Sequence, residues 1–124
     1  MDKQVFFKQF LPVAQAAGEH FKLNPNIILT QAAIESGWGE SVLCSVYHNY
    51  FGLTGYGQPT LYWKGAKTLP IEDGGISHLQ FRIYETVEQS FFDFARLIRV
   101  VYPTAAALSN YPEAYAKEIA YSRY

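Results

Sequence analysis

Glu35 is the residue in this chain best placed to hand over a proton. It lies in the stretch Gln31-Ala32-Ala33-Ile34-Glu35-Ser36-Gly37-Trp38-Gly39-Glu40-Ser41. Ile28, Ala32 and Glu35 stand at i, i+4 and i+7, so a helix would set the carboxyl on a face shared with two apolar side chains. Gly37 and Gly39 stop that helix directly afterwards, which puts Glu35 in its last turn, at the negative end of the helix dipole. Apolar neighbours and the dipole both favour the neutral acid over the carboxylate. General acid catalysis needs such a group, one that keeps its proton near neutral pH and still releases it to a leaving oxygen. The plainer reading is a solvated Glu at a helix end. Small neighbours, the adjacent Ser36 and the indole of Trp38 argue instead for the wall of a cleft.

The elements that must position this acid follow from periodicity and capping. Phe6, Phe10, Val13, Ala14, Ala17 and Phe21 recur at helical spacing, predicting a helix over residues 3–21 with a kink or restart at Pro12. Asn24-Pro25 is a helix start, an amide that caps and a proline suited to the first turn, so the helix carrying Glu35 runs from Pro25 to Ser36. Residues 37–57 lose periodicity and mix five glycines with Trp38, Tyr47, Tyr50, Phe51 and Tyr56, which reads as a cleft lining or a tightly packed connector. Thr60–Trp63 and Ile76–Tyr84 read as strands, the second by alternation, and Glu72-Asp73-Gly74-Gly75 supplies turn chemistry for the tip of a small antiparallel lobe. A carboxylate partner for Glu35 is expected from that tip. Thr86 to Gln89 forms a capping box, and Phe91, Phe94, Ala95, Ile98, Val101 and Tyr102 then mark the central core helix, closed by Pro103. Short helices are expected over Ala105–Leu108 and from Pro112 to Ala120.

Composition narrows the field. A chain of 124 residues is read as one domain, 1–124, and a net charge of −1 offers no basic stripe for nucleic acid or an anionic membrane. The single Cys44 excludes an internal disulfide and a cysteine-based zinc cluster. His20, His48 and His78 lack metal-ligand spacing, so neither metal nor cofactor is expected. Ser36 has no nucleophile-elbow context. Residues 1–10 carry Asp2, Lys3 and Lys8 without a long apolar run, so neither a Sec-type signal nor a membrane span is expected there.

Three stretches taken together are specific. Gln31 to Ser41, then Asn49-Tyr50-Phe51-Gly52-Leu53, then Phe81-Arg82-Ile83-Tyr84 followed by Ser90-Phe91, resemble in order and spacing the glucosaminidase family of peptidoglycan hydrolases, glycoside hydrolase family 73. Flagellar rod hydrolases, autolysins, phage lysins and injected antibacterial effectors share this domain, and the likeness covers nearly the whole chain.

The resemblance implies a lysozyme-like α+β fold, mainly α, with a helical core and a small antiparallel β lobe flanking the cleft. The activity it implies is hydrolysis of the β-1,4 bond after N-acetylglucosamine in peptidoglycan, by an endo-β-N-acetylglucosaminidase that needs no cofactor. Glu35 falls on the family's general acid. The second acid comes from the β lobe, where Glu72 is the first candidate and Asp73 the next. Carboxyls roughly 6.5–9.5 Å apart would suit inversion with a water between them, and about 5–5.5 Å would suit a nucleophile. A tyrosine near the end, within Tyr-Ala-Thr-Asp, lines the family's site; Tyr121 stands in register here, without the Thr-Asp. Trp38, Asn49, Phe51, Tyr56 and Tyr84 are the expected substrate contacts, with Trp38 desolvating the acid or stacking on a sugar and Asn49 meeting an acetamido group or supporting Glu35. Action at the cell wall without a Sec-type signal would require a specialised export route or release by lysis. If the domain is an injected toxin, a cognate immunity or inhibitor protein that blocks the cleft is its expected partner. The alternatives are a muramidase or lytic transglycosylase of the same fold, though the Gly-Leu-Met-Gln segment common in transglycosylases is absent, and a non-catalytic peptidoglycan-binding module.

Overall fold

Asp2 opens the first helix, α1 (Lys3–Phe21), its carboxylate accepting the main-chain N–H of Gln4 at 2.7 Å. The computed structural model describes residues 1–70 and 79–122; Glu72, Asp73 and the expected turn tip lie outside the described residues. α1 runs unbroken through Pro12, so no restart occurs there. It ends at Lys22, a left-handed residue at φ 58°, and the Leu23 N–H returns to the Gly18 carbonyl at 2.9 Å. A Cβ on Gly18 would lie 2.6 Å from the Leu23 oxygen, so only glycine lets the next helix start this close.

α2 (Pro25–Glu35) begins as its sequence demands, Asn24 Oδ1 accepting the Asn26 N–H at 3.0 Å with Pro25 in the first turn. A single helical turn, α3 (Val42–Ser45), capped by Ser41, interrupts the stretch that sequence reads as irregular. Four residues are too few to display a period. α4 (Val87–Val101) starts with the Thr86–Gln89 capping box in full. Pro103 both ends α4 and opens α5 (Pro103–Ala107), two residues ahead of the expected start, and α6 spans Pro112–Tyr121.

The core forms where α1, α2 and α4 meet, from Phe6, Phe10 and Ala14, from Ile28 and Ala32, and from Phe91, Phe94 and Ile98, all buried. Phe10 lies parallel to Phe91 at 5.9 Å and tilted against Tyr50 at 5.0 Å. The molecule is mainly helical. Among the described residues, β pairing amounts to two isolated antiparallel bridges, Thr54 to Phe81 and Lys67 to Arg82. Residues 80–83 thus pair with 53–55 on one side and 66–68 on the other. Thr60–Trp63 is not a strand. The Thr60 hydroxyl accepts the N–H groups of Tyr62 and Trp63 at 3.0 and 2.9 Å, and the Thr60 N–H closes on the Trp63 carbonyl at 2.8 Å, which makes the segment a turn.

Candidate active site

Glu35 is the last residue of α2, carried there because Ile28, Leu29, Ala32 and Ala33 bury the helix's inner face. The carboxyl-bearing residue itself is exposed. This corrects the expectation of a half-desolvated acid: the buried stripe stops at Ala33, and Glu35 faces an open cleft instead of continuing it. Ser36, buried, closes the helix through its hydroxyl, which accepts the Gly39 N–H at 2.9 Å. Gly37, Trp38 and Gly39 then run left-handed at φ 58°, 58° and 81°.

That turn throws the Trp38 ring back onto α1. It meets Phe6 and Phe7 edge-on at 5.7 and 5.3 Å, with Lys3 Nζ 5.2 Å from its centre. Trp38 therefore staples the segment behind Glu35 to the first helix and stands outside the cleft lining.

The facing wall is the loop that starts at Asn49. Its side chain is saturated: Nδ2 donates to the carbonyls of Leu53 and Arg82, each at 3.0 Å, and Oδ1 accepts the N–H groups of Phe51 and Leu53 at 3.3 and 3.2 Å. Asn49 is thus the frame of the loop, with no hydrogen-bonding capacity left for an acetamido group. Gly52 sits in this frame at φ 66°, and a Cβ there would come within 3.8 Å of Glu35 Oε2. Phe51 stacks on Phe94 at 4.0 Å with ring planes 7° apart.

Between the two walls lies a cleft of about 420 Å³, lined by Glu35, Phe51, Gly52, Leu53, Thr54, Leu97 and Tyr102. That volume suits a small ligand or one to two sugar rings of a longer chain, by the size range of roughly 300–1,000 Å³ seen in ligand sites. Among the described residues that line it, Glu35 is the one carboxylate. A single carboxyl group in a cleft whose exposed surface is mostly polar suits acid catalysis on an uncharged, hydroxyl-rich substrate. Tyr102 is legible only as a core-helix position and Leu97 is not singled out, because helical spacing says nothing of what faces a residue.

The remaining expected contacts are dispersed. Tyr56 is 68% exposed on the loop beyond Thr54. Tyr121 is 82% exposed at the end of α6. On that helix Tyr115 faces inward, and a residue six positions on points well round the helix from it. Tyr84 is buried and donates its hydroxyl to Asp93 Oδ2 at 2.5 Å, so it is an internal strut and no substrate contact.

Asp93 is the functional neighbour that sequence reasoning passed over. Fully buried on α4, it also accepts from Arg82 Nη1 at 2.7 Å, Thr60 Oγ1 at 2.9 Å and Arg96 Nε at 3.1 Å. An acid set among Phe91, Phe94 and Ala95 must find partners, and Arg82 in the preceding segment was the signal available. Burial first, and then the Asp93 charge, holds the Tyr84 phenol well above its ordinary range; burial does the same for Tyr115, whose hydroxyl donates to Gln31 Oε1. Below about pH 10 both phenols are protonated in either state and their contribution to stability is fully present. At higher pH the unfolded chain loses these protons before the folded one does, so stability falls by about 1.4 kcal/mol per pH unit for each phenol. Urea denaturation is expected to show stability falling increasingly steeply as pH rises from about 9.5 to 11, and Tyr84→Phe to remove that residue's share of the fall.

A second hollow, about 380 Å³, separates α2 from α6 and is lined mainly by apolar side chains such as Ile27, Ile34 and Ile119. It has no carboxylate among its lining residues and offers no acid chemistry.

Comparison with known proteins shows the family. Residues 11–124 match the glucosaminidase family model, described as mannosyl-glycoprotein endo-beta-N-acetylglucosaminidase. The peptidoglycan hydrolase FlgJ of Pseudomonas aeruginosa is 31% identical over 92% of this chain, and the exo-glucosaminidase LytG of Bacillus subtilis is 30% identical over 91%. This chain spans 30% of the first relative's length and 43% of the second's. The glycoside hydrolase domain of Salmonella typhimurium FlgJ superposes with a TM-score of 0.70 at 28% identity, covering 96% of this chain and 75% of that one. With the family model spanning all but the first ten residues, and a fold that superposes over 96% of the chain, this chain belongs to the glucosaminidase family, glycoside hydrolase family 73.

Proposed function

We propose that this chain is a single catalytic domain that cleaves peptidoglycan glycan strands as an endo-β-N-acetylglucosaminidase, with Glu35 as general acid. The observation that carries this reading is the Glu35 carboxyl on one wall of an open cleft, facing the close-set backbone of Gly52 on the other. An open cleft admits the middle of a polymer. A glycosidic oxygen lying between the walls takes the proton from Glu35 as its bond to the anomeric carbon breaks, and positive charge develops on the sugar. Water completes the cleavage, assisted by a second carboxylate or by the substrate's own acetamido group. Glu72, with Asp73 the next candidate, is the proposed second acid, because the sequence places both between the two segments, 66–68 and 80–83, that pair beside the Gly52 wall. Those segments and 53–55 are the proposed small antiparallel lobe flanking the cleft.

The exposed ring of Tyr56 is the proposed sugar contact, while Phe51, expected as one, is buried against Phe94 and supports the wall from behind. Action at the cell wall follows from the substrate, and a cognate immunity or inhibitor protein would act by covering this cleft, where the exposed Glu35 is reachable. No helix among the described residues is long and apolar enough to cross a membrane.

The test is the chemistry of the new chain ends. Purified sacculi are digested with the protein, reduced with borohydride and analysed by mass spectrometry. Reduced N-acetylglucosamine at the new termini is the expected result. N-acetylmuramic acid termini or anhydro ends would overturn the bond assignment, and binding to sacculi without new ends would make the domain a glycan-binding module.

A further inference from the structure

Arg82 spends its guanidinium in an unusual way for a buried base. Its Nη1 meets Asp93 Oδ2 at 2.7 Å, while Nε donates to the Thr54 carbonyl at 2.9 Å and Nη2 to the Tyr56 carbonyl at 2.7 Å. Its plane lies over the Trp63 ring, with Cζ 4.1 Å from the ring centre. The main chain of the same residue is engaged too, its N–H on the Leu53 carbonyl at 3.0 Å and its carbonyl on Asn49 Nδ2 at 3.0 Å. Residues 53–56 are therefore held from within by one side chain and one peptide unit, in a segment that has only isolated bridges for β structure.

A buried ion pair is weak evidence for stability, since apolar residues of similar volume often do as well. What apolar residues cannot do is fix direction. The guanidinium is a planar, rigid fork, so an anchor at one end determines where the other N–H groups point. Asp93 is that anchor, itself fixed by Tyr84 and Thr60. The next residue on α4, Phe94, backs Phe51, and one helical turn beyond Asp93 Leu97 enters the cleft wall.

We infer that Arg82 and Asp93 are positioning residues for the Glu35 cleft: α4 uses this pair to hold the Gly52–Tyr56 wall at its working distance from the acid. The inference rests on the reading of Glu35 as the catalytic acid. A Cβ on Gly52 would stand 3.8 Å from Glu35 Oε2, ordinary contact, so the wall borders the acid directly and its movement changes where a sugar can sit against the carboxyl. A misplacement of about 1 Å is enough to cost on the order of 100-fold in rate.

The test uses Arg82→Lys, which keeps the charge for Asp93 and loses the fork, and Asp93→Asn, which keeps an acceptor and loses the charge. Tyr84→Phe removes one of Asp93's donors with little change of shape and serves if either of the others fails to fold. Ala17→Gly, a core change on α1 away from the turn behind Glu35, is the control for lost stability alone. Initial rates on soluble, uncross-linked glycan strands are measured well below each variant's melting temperature. Expected is a fall in kcat of about 10–100-fold for Arg82→Lys and Asp93→Asn, and a smaller fall for Tyr84→Phe, with KM changed far less. Ala17→Gly is expected to lower the melting temperature and leave kcat unchanged. Folded variants that lose melting temperature as Ala17→Gly does, with kcat intact, would overturn the positioning role while leaving Glu35's role standing. A wild-type protein that cleaves no glycan would instead refute the proposed function, and the positioning role with it.

Discussion

Glu35→Gln lowers the release of glycan fragments from purified sacculi by about 10²–10⁴-fold, the range that removal of a positioned general acid produces. Gln matches the side chain in shape and cannot supply the proton. Because Glu35 is exposed at the end of α2, with the buried contacts of that helix made by Ile28, Leu29, Ala32 and Ala33, the substitution leaves stability within about 0.5 kcal/mol of the original. Activity and stability therefore separate cleanly at this position. Equal rates for the two proteins, measured by fragment release alongside a thermal melt, would remove Glu35 from the chemistry.

Phe94→Ala has the opposite character. Phe94 is fully buried, stacks on Phe51 at 4.0 Å and belongs to the core face of α4. Truncating a buried aromatic costs about 3–5 kcal/mol, from lost burial and the cavity left behind. Against a total stability of roughly 5–15 kcal/mol this is a large fraction, corresponding to a fall in melting temperature on the order of 10–20 °C. The same change takes the support from beneath Phe51, so the folded fraction is expected to cleave more slowly as well. Urea denaturation reads the first effect, and initial rates normalised to folded protein read the second.

How far the sequence anticipates these arrangements depends on the range of the interactions involved. Asn24-Pro25, the Thr86–Gln89 capping box and the glycines after Glu35 act within four residues of themselves, and each marks its helix boundary to within a residue or two. The apolar period of α4 likewise identifies Phe91, Phe94 and Ile98 as core. Thr60–Trp63 misleads because β-like residue types say nothing of a threonine hydroxyl that captures two N–H groups locally. Trp38 and Tyr84 are aromatic and near the motifs, yet the first is turned onto α1 by a left-handed turn and the second is drawn inward by Asp93. Those outcomes depend on residues nine or more positions away or on a backbone sign that residue type does not reveal. The exposure of Glu35 belongs with them, since a shared helical face predicts burial only as far as something packs against it.

The central claim is that a glycan strand lies in the cleft between Glu35 and the Gly52 wall, with its scissile oxygen at the acid. A crystal structure of Glu35→Gln with an N-acetylglucosamine–N-acetylmuramic acid oligosaccharide tests it most directly. The expected result is a sugar between Gly52 and Tyr102, with a glycosidic oxygen about 2.6–3.2 Å from the side chain at position 35. An oligosaccharide seated in the hollow between α2 and α6, with no bond to that side chain, would contradict it.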